Sequence, residues 1–221
     1  KEIRFDKECF VKIIKIGLPA GLQSAVFAFA NIVIQAAINS LGTIVIAASS
    51  AAFNIEIFAY YVLNSFSQAC TTFSGQNYGA GQIKRCKKIL LLCILEDAIA
   101  SAAVISLVLL SGRVLLSVFN SNPEVIEIGY TRLLIILSAY TFSMLYENMS
   151  GYLRDFGDSL IPAVLTVIGI CAVRITWIYT VFQTHRTFTS IMIAYPVSLF
   201  TTALLIFIAL MIYRPSRRYA A

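Results

Sequence analysis

Six apolar runs dominate the chain, at residues 16–39, 44–70, 89–111, 126–149, 160–182 and 190–213, each near 20 residues or longer. A helix that crosses the roughly 30 Å hydrocarbon core of a bilayer needs about 20 such residues. The runs lack period-two alternation, and lipid accepts only helices or closed barrels, so strands are excluded. The chain therefore reads as an all-α polytopic membrane protein. Its punctuation falls between the runs: Gly42 and Thr43, "SGQNYGAGQIKRCKK", "SGR" with "NSNPE", "LRDFGDS" and "QTHRTF". An interfacial linker helix over 1–15, a six-helix lobe over 16–213 and a basic tail over 214–221 complete the organisation. A soluble domain is about 45–50% apolar and about 25% charged, whereas these 221 residues are 59% hydrophobic and 13% charged. No length remains for a separate soluble catalytic domain.

The net charge of +6 is explained by orientation. Thirteen of the 17 basic residues lie at the two termini and in the second-to-third and fourth-to-fifth connections, while Arg113 and Arg186 lie on the other side and Arg132 and Arg174 within helices. Positive connections stay cytoplasmic, so both termini of a multi-pass cell-membrane protein are expected there. Nucleic acid is not a partner, because basic tails that bind it lack this apolar mass; the bilayer is. From residues 1–15 into the first run, Phe10, Ile13, Ile14 and Gly17 share a side flanked by lysines, the pattern of an interfacial helix. The five cysteines form no CxxC pair and His185 is the sole histidine, so no metal site and no disulfide framework are encoded. The opening "KEIRFDKECFVKIIK" is too charged for a cleavable signal, and a start on Lys1 suggests a piece of a longer chain.

Polar residues within spans are costly and so informative. Gln23, Asn31, Gln35 and Asn39 fall four or eight apart in the first run, a polar stripe interrupted at Phe27 by an aromatic ring; Glu56, Tyr60, Asn64 and Gln68 repeat the spacing in the second. These faces either bind helices together or line a cavity with Tyr61 and Tyr140. Glu56 lies twelve residues after Ile44, about 18 Å deep, and Arg174 eight residues before Phe182, about 12 Å deep. This depth match predicts an ion pair between them. Glu96 and Asp97, about 10–12 Å from the inner start of their run, suit a cytoplasmic vestibule. Glu147 is either an interfacial acid paired with Arg154 or a proton or cation site. Glu56, Glu147 and Arg174 are thus the ion-coupling candidates. Pro19 and Pro196 predict kinks that serve as packing features or hinges.

The stretch Gly75 to Gly81 is not a nucleotide loop, since a helix rather than a strand precedes it and no Lys-Ser/Thr pair follows. It reads as a helix end and tight turn. "LRDFGDS" likewise is a turn, with Ser159 as the N-cap and Pro162 in the first turn of the next helix. Together "GLPAGLQ", "LGTIVIAASSAAFNI", "GQNYGAGQIKRCKK" and "LRDFGDSLIP", in that order and spacing, resemble the multidrug and toxic compound extrusion (MATE) transporter family. The charged linker and six helices resemble its C-terminal lobe, and "GICAVRITWI" and "YPVS" are similar to a bacterial branch.

The resemblance implies one half of a twelve-helix antiporter that exports cationic or amphipathic compounds in exchange for Na+ or H+, its partner being a missing N-terminal six-helix lobe of the same polypeptide. Two lobes enclose a central cleft and rock about it. The cleft is expected to be lined here by Gln23, Phe27, Asn31, Gln35, Glu56, Tyr60, Asn64 and Tyr140, whose rings and acid suit small lipophilic cations. Two acids used by some members are replaced by Phe27 and Ser143. No cofactor beyond the coupling ion is implied. A flippase for lipid-linked saccharides is the alternative, disfavoured because only Arg174 is deeply placed. A membrane enzyme would need a nucleophile with a base or a ligand cluster, and neither is present.

Overall fold

A computed structural model describes residues 6–214, and every regular element among them is helical. Lys1, Arg4, Arg217 and Arg218, with most of the expected basic tail and the start of the interfacial segment, lie outside the described residues. The chain runs through α1 (Lys7–Asn39), α2 (Thr43–Gly79), α3 (Ile83–Phe119), α4 (Pro123–Ser138), α5 (Tyr140–Asp155), α6 (Leu160–Thr166), a π turn (Val167–Ala172), α7 (Val173–Tyr179), α8 (Val181–Thr184) and α9 (Phe188–Tyr213). Short connections make successive spans antiparallel. Gly42 and Gly81, at φ 102° and 72°, supply two of these reversals in a region that side chains with a Cβ avoid.

Several helices outrun the apolar stretches that announce them. α2 continues to Gly79, and the basic segment from Ile83 is already α3; each helix has 37 residues, or about 55 Å at 1.5 Å per residue. Such lengths exceed the hydrocarbon core, so their polar ends extend into the headgroup layer as helix rather than loop. The segment expected as a separate linker helix likewise runs into the first span from Lys7 without a break. Ser159 holds the N-cap position of α6 but makes no side-chain cap bond.

Five helical stretches are long and apolar enough to cross a membrane, and α4 with α5 forms a sixth crossing bent by 42°. The fourth run contains no proline or glycine near the bend at Ala139. Ser138 Oγ donates to the Ile135 carbonyl at 2.9 Å, competing with the backbone ladder where the helix breaks. α2 packs along α3, α4 and α5; α9 crosses α5, α4 and the π turn; α1 lies against α6, the π turn and α7. Small residues permit these approaches. A Cβ added at Gly151 would meet Thr71 Oγ1 of α2 at 2.5 Å, and one at Gly169 would meet the Thr202 Cα of α9 at 2.8 Å.

At the end that carries the α2–α3 turn, Cys70, Cys86, Leu90, Cys93, Tyr152 and Phe156 form a compact cluster against which Leu210, near the end of α9, also packs. Tyr78 packs on Phe156 in a tilted ring contact with centroids 4.8 Å apart, which fixes that turn beside the end of α5. The four cysteines Cys70, Cys86, Cys93 and Cys171 are buried and unbridged. Outward, Leu95, Ile99, Leu107, Leu110 and Val118 of α3 are exposed, an apolar flank that suits lipid and not water.

Candidate functional site

A cavity of about 600 Å³ opens in the half of the lobe remote from the α2–α3 turn. Its walls come from α1 (Phe27, Asn31, Gln35), α2 (Ser49, Phe53, Glu56, Tyr60), the bent α4–α5 span (Arg132, Tyr140, Ser143, Tyr146), α7 (Arg174) and α9 (Tyr195, Leu199). The 42° bend sets Tyr140 immediately beyond the break, with Ser143 one turn further on. A row spaced by four brings Phe27, Asn31 and Gln35 to one side, and one spaced by three or four brings Ser49, Phe53, Glu56 and Tyr60 to another.

Glu56 anchors the floor. Arg132 Nε donates to its Oε2 at 2.9 Å, and the Tyr140 hydroxyl donates to Oε1 at 3.1 Å. A second arginine nitrogen, Nη1, donates to Ser49 Oγ at 2.7 Å. All four residues are buried, so the pair exchanges hydration for three fixed hydrogen bonds rather than for bare Coulomb attraction. The predicted partner of Glu56 was Arg174; the structure replaces it with Arg132. Counted from Pro123, Arg132 lies nine residues in, about 13 Å, a depth indistinguishable from that of Arg174. Depth along a helix fits both arginines equally, although only Arg174 was predicted from it; the rotation of the packed helices selects between them.

Arg174 instead faces neutral groups. Its Nε donates to Ser198 Oγ at 3.0 Å and its Nη1 to Asn31 Oδ1 at 3.3 Å. The guanidinium lies 4.2 Å from the Tyr195 ring centroid and 5.5 Å from that of Phe27. Among the described residues no carboxylate is in ion-pair range of it. Tyr195 also lies 5.9 Å from Arg132, so one ring serves both cations.

Six of the eight residues expected along the cleft, Phe27, Asn31, Gln35, Glu56, Tyr60 and Tyr140, line this one cavity, whereas Gln23 and Asn64 do not. Asn64 Nδ2 donates to the Tyr60 hydroxyl at 3.5 Å, one turn behind the wall. Tyr61 points outward. Tyr195, Ser49 and Arg132 were missed as site residues. For Arg132 the signal existed, since it is a charge inside an apolar run; for Tyr195, one residue before Pro196, no spacing rule distinguishes it from any other aromatic on an apolar helix.

The remaining acids separate from this cavity. Glu147 does not line it; its Oε1 accepts from the Tyr146 hydroxyl at 2.9 Å, and it makes no ion pair with Arg154, contrary to the interfacial pairing considered above. Asp97 is fully buried, accepting from Ser101 Oγ and Asn148 Nδ2, both at 2.8 Å. It does not face a vestibule. Its neighbour Glu96, about 100° round the helix, borders a second, shallower hollow of about 440 Å³ between α2 and α3 with Arg85 and Lys88. No cluster of three or more His, Cys, Asp or Glu able to hold a metal occurs among the described residues.

The lobe resembles known transporters in sequence and shape. It is 23% identical over 206 residues to the "Probable multidrug resistance protein YoeA" of Bacillus subtilis strain 168, covering 93% of this chain and 44% of that protein. It is 30% identical over 167 residues to "Multidrug resistance protein PmpM" of Pseudomonas aeruginosa, covering 73% and 34%. The chain thus spans less than half the length of these relatives. A solved structure described as MATE in the bent conformation superposes with a TM-score of 0.86 over 100% of this chain and 49% of that one, at 15% identity, a likeness of fold. The MatE family model matches residues 19–180, most of the lobe just described, and the chain belongs to that family of multidrug efflux transporters.

Proposed function

We propose that this chain is one lobe of a secondary active efflux antiporter that exports cationic or amphipathic compounds in exchange for Na+ or H+. The cavity is one wall of a cleft completed by a second six-helix lobe, in a cell membrane with both termini cytoplasmic. The observation that supports this reading most is the cavity's wall: aromatic rings on four separate spans surround a satisfied Glu56–Arg132 pair. A helix core that only had to be stable would fill that volume with aliphatic side chains. Glu147 and Asp97, which make no ion pair among the described residues, join Glu56 as carboxylates through which an ion could be coupled.

The test is efflux by the full-length protein in cells lacking their main drug pumps. Export of ethidium and of fluoroquinolones, driven by an imposed sodium gradient or an imposed pH gradient, supports the reading and identifies the ion. Unchanged accumulation of every compound, with the protein present in the membrane, defeats it. One observation favours the flippase alternative: two buried arginines, not one, reach the cavity, as a pyrophosphate head would require. Transfer of a lipid-linked saccharide across proteoliposomes, with no drug export, would decide for it.

A further inference from the structure

We propose that Arg174 is an anion subsite and that this lobe takes aromatic compounds bearing a single sulfonate, carboxylate or phosphate group. The inference rests on the efflux reading above and, within its amphipathic compounds, narrows the substrate class to aromatic anions, setting the cationic ones aside. Charge in the cavity wall does not balance. Glu56 is consumed by Arg132, with Ser49 and Tyr140 completing the set, while Arg174 is matched only by a hydroxyl, an amide oxygen and two ring faces. It is nevertheless 3% exposed and lies within a membrane-spanning segment.

A guanidinium in such a place needs an anion or water, because neutral acceptors and cation–π contacts recover part of its hydration and no more. Its Nε and Nη1 are engaged, and no acceptor takes Nη2 among the described residues. That leaves one end of the fork for a ligand oxygen, and a planar donor fork is well suited to oxyanions. The surrounding walls define the rest of the ligand. Phe27, Tyr60, Tyr140 and Tyr195 present ring faces and edges around a space of about 600 Å³, enough for a fused or linked ring system. A single uncommitted cation sets the number of acid groups at one, since a second would find no matching partner in this wall.

The experiment compares two ligands that share one ring and carry head groups of opposite charge: naphthalene-1-sulfonate, and the same ring carrying trimethylammonium. Binding to the purified full-length transporter in detergent is measured by equilibrium dialysis. The expected result is tighter binding of the sulfonate, weakened about tenfold in R174Q and partly kept in R174K, with the ammonium compound unaffected or strengthened by R174Q. Rising salt should weaken the sulfonate and not the ammonium ligand.

Equal affinity of the wild-type protein for both ligands, or preference for the ammonium, overturns the proposal without recourse to any variant. So does an equal loss for both ligands in R174Q alongside an unchanged melting temperature. Should R174Q fail to fold, the wild-type preference and R174K decide. If the wild-type protein exports dyes but binds no sulfonate, the anion subsite falls and the efflux reading stands. If it binds the sulfonate and exports nothing, the reverse holds.

Discussion

The Glu56–Arg132 pair is the residue-level feature with the largest consequence for stability. Removing one member of a buried pair leaves the other charge stranded, at a cost of about 3–5 kcal/mol. E56Q and R132Q should each lower the unfolding free energy of the detergent-solubilised full-length protein by that order, while E56Q/R132Q recovers much of the loss. R174Q should combine additively with E56Q, since Arg174 bonds Ser198 and Asn31 and not the carboxylate. A double-mutant cycle settles the matter: strong coupling of E56Q to R174Q and none to R132Q would contradict the geometry. The residue types of the site were largely legible in the sequence, because a charge or amide in an apolar span is rare. Their partners were not, because depth follows from counting residues and rotation does not.

Elements show the same division. The apolar runs announced six crossings, and spacing by four correctly grouped Phe27 with Asn31 and Gln35. Hidden from that arithmetic were the bend at Ala139 and the π turn at Val167–Ala172, which widens one turn and shifts the face of every residue counted across it, Arg174 included. Neither carries a proline or another signal that spacing arithmetic reads; at the bend the local mark is Ser138, whose hydroxyl bonds the Ile135 carbonyl. Glycines at two contacts between helices give a discriminating prediction. At Gly151 the obstacle to a new methyl is a side-chain atom, Thr71 Oγ1, so G151A should destabilise and G151A/T71A should recover. At Gly169 the obstacle includes the Thr202 Cα itself, so G169A should cost about 1–3 kcal/mol and T202A should not rescue it. Rescue of G169A by T202A, read as a restored melting temperature, would show that the π turn and α9 pack less closely than described.

For the whole molecule, a cavity that forms one wall of a cleft requires the opposite wall. The 221-residue chain reconstituted alone in vesicles should therefore carry no substrate across, even where it inserts, and measurable gradient-driven dye transport by it would refute the two-lobe reading. Orientation can be tested separately, because the helical order puts the α2–α3 turn on the face opposite the connections before α4 and before α9. The weight of Lys and Arg assigns the first of these faces to the cytoplasm. In the full-length protein stripped of its other cysteines, exposed positions on each face provide reporters: Gln82→Cys on one, Ser121→Cys and His185→Cys on the other. An impermeant maleimide added to intact cells should label the latter two and spare the first, with all three labelled after permeabilisation. Labelling of Gln82→Cys in intact cells would invert the lobe. The cavity, which lies nearer the other face, would then open toward the cytoplasm, and export would have to begin at Arg174 rather than end there.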